Sequence, residues 1–108
     1  TLSALSMAVV LGNQLLWGYQ PERDDPDLEA TLSAAVQGGL SLVDTADSYG
    51  TGRLNGRSEL LLGQFLRAMD PAQSRRLKVA TKLAPFPWRL GRGGFKRAFN
   101  ASQKRLGG

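Results

Sequence analysis

Three side chains in this sequence have the types and spacing to move a proton: the carboxylate of Asp44, the phenol of Tyr49 and the amine of Lys82. Asp44 ends a short apolar segment, and Tyr49 follows in a polar loop. Lys82 ends a second apolar segment, which begins at Leu77. If these segments are neighbouring parallel strands, their carboxyl ends share one edge of a sheet. An acid, a phenol and an amine placed together there can deliver a proton to a carbonyl oxygen.

The apolar pattern predicts three strands, each followed by a helix. Asp25 and Pro26 indicate a helix start, with a side-chain cap followed by proline at the first helical position. Gly38 and Gly39 end this helix and a strand follows, which predicts a right-handed crossover between parallel strands. The predicted strands cover about 7–11, 40–44 and 77–82, and the predicted helices cover about 26–37, 58–69 and 95–106.

The second and third helices carry their own boundary signals. Ser58 or Asn55 could cap the second helix, and Asp70-Pro71 is expected to end it. In the third helix, Phe95 and Phe99 fall on the stripe that is expected to be buried. Gly107 is the expected stop of that helix.

Alternating strands and helices predict a parallel sheet covered by helices, in the α/β class. A (β/α)8 TIM barrel typically needs about 250 residues, and this chain has 108. Three strands are too few to close such a barrel. Three strands of a closed barrel leave sheet edges and an apolar face uncovered. We expect the polypeptide 1–108 by itself to be marginally stable and to associate through these edges.

Composition restricts the classes of site. The chain has no cysteine and no histidine, which excludes disulfides, thiolate metal sites and the commonest general base. We predict no metal site. The longest apolar run, Met7–Leu11, is far shorter than the roughly 20 residues of a membrane span, so no membrane association is expected. The lack of cysteine fits a reducing compartment, and we expect a cytoplasmic protein.

Charge is divided unevenly along the chain. Residues 1–70 carry four basic and nine acidic side chains, whereas residues 71–108 carry ten basic side chains and no acidic one. Such a basic segment could bind nucleic acid, with Phe86 and Trp88 among its aromatic residues. We regard nucleic acid as an unlikely partner, because a basic cluster is a weak motif and the phenylalanines of the third helix are expected to be buried.

The glycines between Gly50 and Gly56 do not predict a dinucleotide site of the Rossmann type. Their spacing is G-x-G-x-x-x-G, one residue longer than the fingerprint. They are also separated from the preceding strand by Thr45–Tyr49, whereas the phosphate-binding turn must open directly from a strand.

Seven short motifs occur in order along the chain, and each falls on a particular predicted element. They are Gly38-Gly39, Asp44-Thr45-Ala46, Tyr49-Gly50, Gly56-Arg57-Ser58-Glu59, Leu62-Gly63, Ala80-Thr81-Lys82 and Arg105-Leu106-Gly107. This ordered set resembles the aldo-keto reductase family over roughly residues 12–108. The tract 13–19 and the loop 51–55 look most like a subgroup from cyanobacteria and plants.

The resemblance implies an incomplete (β/α)8 TIM barrel made of its first three units, with residues 1–108 as the amino-terminal part of a single barrel domain. It also implies an enzyme that uses NADPH to reduce an aldehyde or ketone to an alcohol. Tyr49 then matches the proton donor, Lys82 favours the phenolate, and Asp44 keeps Lys82 protonated and in place. The resemblance also implies that Asp44 belongs to the cofactor site. Trp17 and Tyr19 are expected either in the wall of the substrate pocket or in simple loop packing.

The chain also departs from the family pattern. The family carries a catalytic histidine after its fourth strand and binds the cofactor mainly through its last strands, and this sequence contains no histidine. Residues 6–11 lack the glycine-threonine pair that the family usually has in its first strand. We therefore expect the polypeptide 1–108 alone to be inactive. The alternative is a non-catalytic protein of the same fold that binds a partner, and a plastid location is possible for a plant protein.

Overall fold

A computed structural model of the chain describes residues 4–6, 20–49, 56–89 and 91–108. Within these ranges, three parallel strands form one sheet in the order β1-β2-β3, and helices connect them. The repeated order of strand and helix agrees with the prediction. The elements are β1 (Ala4–Ser6), α1 (Pro21–Gln37), β2 (Leu42–Asp44), α2 (Arg57–Ala68), α3 (Pro71–Ser74), β3 (Lys78–Ala80) and α4 (Arg92–Leu106).

The register of β2 and β3 decides which side chains share a face of the sheet. Val43 lies opposite Val79, and Asp44 lies opposite Ala80. Val43 is fully buried and Val79 packs against the same core, so both belong to the helix-covered face. Because side chains alternate along a strand, Asp44 belongs to the other face, as Lys82 does two residues beyond Ala80.

The core lies between the sheet and helices α1 and α2. Each helix contributes apolar residues at helical spacing, which gives one buried stripe per helix. A single continuous cluster therefore holds the strands under the helices. Its buried members are Leu28, Leu32, Leu40, Val43, Leu61, Leu62, Phe65 and Leu77.

The strands differ in position and length from the prediction. The predicted strand at 7–11 lies outside the described residues, and the strand that pairs with β2 is Ala4–Ser6. β2 starts at Leu42 rather than at Leu40, because the Leu40 N–H donates to the carbonyl of Ala35 at the end of α1. β3 is also shorter than the predicted 77–82 and covers Lys78–Ala80.

Helix α1 starts five residues before the predicted position. Pro21, not Pro26, occupies the first turn, and the Asp24 carboxylate accepts a hydrogen bond from the Gln20 N–H at 2.8 Å. Pro26 lies inside the helix, and because proline has no N–H the helix lacks one backbone hydrogen bond there. The prediction that Asp25 caps the helix is therefore wrong, because a second proline upstream suits the same role.

The boundaries of α2 agree with the prediction to within one residue, but its cap does not. Gly56 is the cap, with φ of 78°, a backbone conformation that favours glycine. Ser58 is buried within the first turn, and Asn55 lies outside the described residues. Asp70 begins the short helix α3 instead of ending α2, because its side chain accepts a hydrogen bond from the Ala72 N–H.

Helix α4 begins at Arg92 rather than at residue 95, and it ends before Gly107 as predicted. Its buried face differs from the prediction. Phe95 and Phe99 are 59% and 48% exposed, whereas Ser102 is buried. Only the carboxyl-terminal half of the expected stripe is covered, since Leu106 packs against the core beyond Ser102, so the expected burial of the two phenylalanines is wrong. Because Phe95 and Phe99 are exposed, burial no longer speaks against nucleic-acid binding, and the weakness of a basic cluster as a motif is the remaining ground.

No helix within the described ranges combines the length and apolar character that a membrane crossing requires.

Candidate active site

The structure brings Asp44 and Lys82 into direct contact at the carboxyl ends of β2 and β3. The Lys82 Nζ donates to Asp44 Oδ1 at 2.8 Å and to Oδ2 at 2.7 Å. It also lies 3.2 Å from the carbonyl oxygen of Thr45. The contact follows from the register and from side-chain alternation, which place both residues on the same face of the sheet.

This environment keeps Lys82 positively charged. Hydrogen bonding to Asp44 raises the pKa of the Lys82 ammonium above its ordinary value; interaction with Tyr49 acts in the same direction, and burial opposes both. An opposite charge in contact with an ammonium stabilises its protonated form. Lys82 is therefore a fixed cation at neutral pH, next to the loop that carries Tyr49.

Tyr49 lies beside that cation. The Lys82 Nζ is 5.1 Å from the centre of the Tyr49 ring. The backbone of Tyr49 is held on both sides: its N–H donates to Ala46 O at 3.3 Å, and its carbonyl accepts from the Ser58 N–H at 3.3 Å. The start of α2 therefore helps to position the phenol near Lys82.

A second bond joins this loop to α2. The hydroxyls of Thr45 and Ser58 lie 2.8 Å apart, and both residues are fully buried. Thr45 thus contacts Lys82 through its carbonyl and α2 through its side chain. Ser58, which the sequence suggested as a helix cap, instead supports the site.

The strand end that carries Lys82 is fixed through its neighbour, Thr81. The Thr81 hydroxyl donates to Glu59 Oε1 at 2.5 Å. Glu59 is fully buried, and its other oxygen accepts a hydrogen bond from Arg105 Nε at 2.7 Å. One buried carboxylate therefore connects β3, α2 and α4.

Helices α2 and α4 also approach each other very closely at a glycine. A Cβ atom on Gly63 would lie 2.1 Å from the carbonyl oxygen of Arg105 and 3.1 Å from the Cα of Leu106. Only glycine fits this contact without a backbone shift. Motifs that are distant in sequence, Leu62-Gly63 and Arg105-Leu106-Gly107, thus meet in the fold.

Comparisons with known proteins identify the family of this chain. The Aldo/keto reductase family model matches residues 8–108. The chain belongs to the aldo/keto reductase family. The chloroplastic pyridoxal reductase of Arabidopsis thaliana is 52% identical over 97 residues, which cover 88% of this chain and 26% of that protein. The 6-dehydroglucose reductase of Novosphingobium aromaticivorans is 36% identical over 101 residues, which cover 85% of this chain and 33% of that protein.

A solved structure matches the fold of this aldo-keto reductase family member. A thermostable aldo-keto reductase crystallised with the inhibitor epalrestat matches with a TM-score of 0.62 and 26% identity, over 79% of this chain and 28% of that one. The three strand–helix units are therefore an incomplete TIM barrel, as predicted. The chain spans about a quarter to a third of the length of these relatives.

Two ion pairs of this aldo-keto reductase domain were not predicted from the sequence. Glu59 was recognised only as part of a motif, although it lies three residues before Leu62 on the apolar stripe of α2. A carboxylate on a buried stripe needs a partner, and that signal could have predicted its ion pair with Arg105. Asp47 and Arg89 form another ion pair, which joins two loops and leaves no periodic signal.

Two predicted pocket residues, Trp17 and Tyr19, lie outside the described residues. Trp88 is a described aromatic residue beyond β3, in a 3-10 helix that covers Pro87–Arg89. It is 72% exposed, and its ring stacks on that of Phe86 with the centroids 4.6 Å apart.

Proposed function

We propose that this chain carries the proton-donating residues of an NADPH-dependent reductase that converts an aldehyde or ketone to an alcohol. Membership of an oxidoreductase family supports the reaction class. The observation that carries the proposal is the position of the Lys82 ammonium, bonded to Asp44 and 5.1 Å from the centre of the Tyr49 ring.

The side chains have separate tasks in this reaction. Tyr49 donates its phenolic proton to the carbonyl oxygen of the substrate, and the neighbouring Lys82 cation stabilises the phenolate that remains. Asp44 keeps Lys82 protonated and directed toward the phenol through two hydrogen bonds. An isolated tyrosine ionises only near pH 10, so it needs such a cation to be an effective acid.

The donor set fits a nicotinamide cofactor. Reduction of a carbonyl requires one proton at its oxygen, and a phenol beside an ammonium group can supply it. When bound, NADPH supplies the hydride that is added to the carbonyl carbon. Asp44 would help to hold this cofactor, and its carboxylate also retains Lys82.

The relatives suggest candidate substrates. The Arabidopsis relative is named a pyridoxal reductase and the Novosphingobium relative a 6-dehydroglucose reductase. We propose a small carbonyl compound as substrate, and pyridoxal as the first compound to assay, because the identity to the plant protein is the higher. Turnover of pyridoxal, of a sugar-derived carbonyl and of an aliphatic aldehyde should be compared side by side.

The test of the catalytic assignment is Tyr49→Phe in the protein as its gene encodes it. Removing the phenolic hydroxyl removes the proton donor, so kcat for carbonyl reduction should fall by about 10²- to 10⁴-fold. The Kd for NADPH, measured by fluorescence titration, should change little because the ring remains.

Tyr19→Phe is the matched control, since it removes the hydroxyl of the chain's other tyrosine. A wall residue of the pocket should affect KM more than kcat. If Tyr49→Phe retains wild-type turnover, or if Tyr19→Phe loses as much kcat, the role assigned to Tyr49 is wrong.

The alternative is a non-catalytic protein of the same fold that binds a partner. We propose that the polypeptide 1–108 alone lacks turnover, because it spans about a quarter of its plant relative. Size-exclusion chromatography with mass measurement tests the partner-binding alternative, and a single monodisperse monomer would oppose it. A fluorescent fusion would decide between the cytoplasm and a plastid, the location in the name of the plant relative.

A further inference from the structure

Asp47 is a buried carboxylate that the proposed reaction does not use. It lies in the loop between Asp44 and Tyr49, and its side chain has no solvent exposure. A buried charge is unfavourable unless ion pairs and hydrogen bonds compensate it. The partners of Asp47 therefore indicate what the residue is placed to hold.

Three hydrogen bonds of Asp47 reach the segment that follows β3. Its Oδ1 accepts a hydrogen bond from the Ala84 N–H at 3.0 Å, and its Oδ2 accepts one from Arg89 Nη1. Its own N–H donates to the carbonyl oxygen of Lys82 at 3.1 Å. One residue thus joins the loop that carries Tyr49 to the backbone of Lys82.

Arg89 completes this connection from the other side. Its Nη1 donates both to Asp47 and to the carbonyl oxygen of Ala84, at 3.1 Å in the second case. Its guanidinium lies 4.9 Å from the centre of the Phe86 ring. The planar guanidinium can make these contacts together, whereas a lysine ammonium keeps the ion pair with less directional control.

We propose that Asp47 and Arg89 are a pair of positioning residues that sets the spacing between Tyr49 and Lys82. This proposal rests on the proposed function, because the pair acts through Tyr49 and Lys82. Asp47 is two positions from Tyr49, and its backbone N–H bonds the carbonyl oxygen of Lys82. Loss of the side-chain pair with Arg89 therefore loosens the loop next to the phenol. Proton donation depends on such spacing, since small displacements of reacting groups reduce rates strongly.

The test is Asp47→Asn in the protein as its gene encodes it. Asparagine keeps the size and an acceptor for the Ala84 N–H but loses the charge that pairs with Arg89. We expect kcat to fall about 10- to 100-fold, while the KM for NADPH changes less than about twofold. The alkaline limb of the kcat–pH profile should move to higher pH, because a looser Lys82 favours the phenolate less.

Substitutions of Arg89 give an independent test, should Asp47→Asn fail to fold. Arg89→Met should lower kcat and move the alkaline limb in the same direction as Asp47→Asn. Arg89→Lys should restore most of kcat and return the limb toward its wild-type position. Asp70→Asn is the matched control: it replaces an aspartate at the amino end of α3, where asparagine caps equally well, and should leave both readouts unchanged.

Each outcome has a clear meaning. If the variants at positions 47 and 89 lower only the melting temperature and keep the wild-type kcat and pH profile, the pair is structural and the inference is overturned. The same holds if Arg89→Lys is no better than Arg89→Met. These results are separable from failure of the proposed function, which Tyr49→Phe tests in the same assay.

Discussion

The ammonium group of Lys82 bonds both carboxylate oxygens of Asp44, at 2.8 and 2.7 Å, across two neighbouring strands. Both side chains remain more than one-third exposed, so solvent screens their attraction. The pair therefore contributes little to folding, and its main consequence is to fix the charge and direction of Lys82. It is a feature of the site more than of the core.

The pH dependence of stability should reveal this pair. The folded-state pKa of Lys82 is raised above its ordinary value of 10.5, so the pair stabilises fully below that pH. The stabilisation is lost as pH rises through the higher folded-state pKa. Lys82→Met should therefore reduce the free energy of unfolding by about 0.2–1 kcal/mol near neutral pH, and the difference should shrink above pH 10.5. Urea unfolding from pH 7 to 12 measures it.

Lys78→Met is the control for that experiment, because Lys78 is an exposed lysine at the start of β3, the strand that Lys82 follows. Its effect on the free energy of unfolding should not decrease at high pH as that of Lys82→Met does. A difference for Lys82→Met that stays constant through pH 12 would contradict the linkage.

The buried pair of Glu59 and Arg105 should matter far more for stability. Arg105→Met leaves the fully buried Glu59 carboxylate with the Thr81 hydroxyl as its remaining described partner. Breaking a buried ion pair costs about 3–5 kcal/mol, which chemical denaturation will detect as a lower free energy of unfolding. The double variant Glu59→Gln/Arg105→Met should recover part of this loss, since no charge is then left buried. If the loss in the double variant equals the sum of the losses in Glu59→Gln and Arg105→Met alone, the two residues are not coupled.

The contact at Gly63 predicts a steric effect. In Gly63→Ala the new Cβ would lie 2.1 Å from the Arg105 carbonyl oxygen, so α2 and α4 must separate. Overpacking of this kind costs about 1–3 kcal/mol or more, measured as a lower melting temperature and free energy of unfolding. Gly93→Ala in α4 is the matched control, because its nearest atom would lie at 3.6 Å. It should be neutral or slightly stabilising, as alanine favours helices; equal effects in both variants would exclude the steric explanation.

The apolar groove beside α4 predicts how the polypeptide 1–108 behaves by itself. The groove has a volume of about 370 Å³, and Leu83, Phe95, Phe99 and Leu106 are among its lining residues. Exposed apolar surface of this kind promotes association. Sedimentation velocity should show concentration-dependent oligomers, and Phe95→Ser with Phe99→Ser should reduce them. A sharp melt of a wild-type monomer that does not depend on concentration would contradict this prediction.

The order of strands and helices, and the location of Asp44, Tyr49 and Lys82 near strand ends, were predictable because they depend on local patterns. Strand alternation and turn residues are encoded within a few positions, and the order of the seven motifs indicated the family. The boundaries were less predictable. The start of α1 depended on a choice between Pro21 and Pro26 that local preference does not make, since both suit a first turn.

What the sequence alone determined is the fold class and the chemical types available at the rim of the sheet. The tertiary structure decided which groups meet, namely Asp47 with Arg89 and Glu59 with Arg105. It also decided that Phe95 and Phe99 are exposed rather than buried. The physical reason is that periodicity identifies the side of an element, whereas burial and ion pairing depend on what another, distant segment places against it.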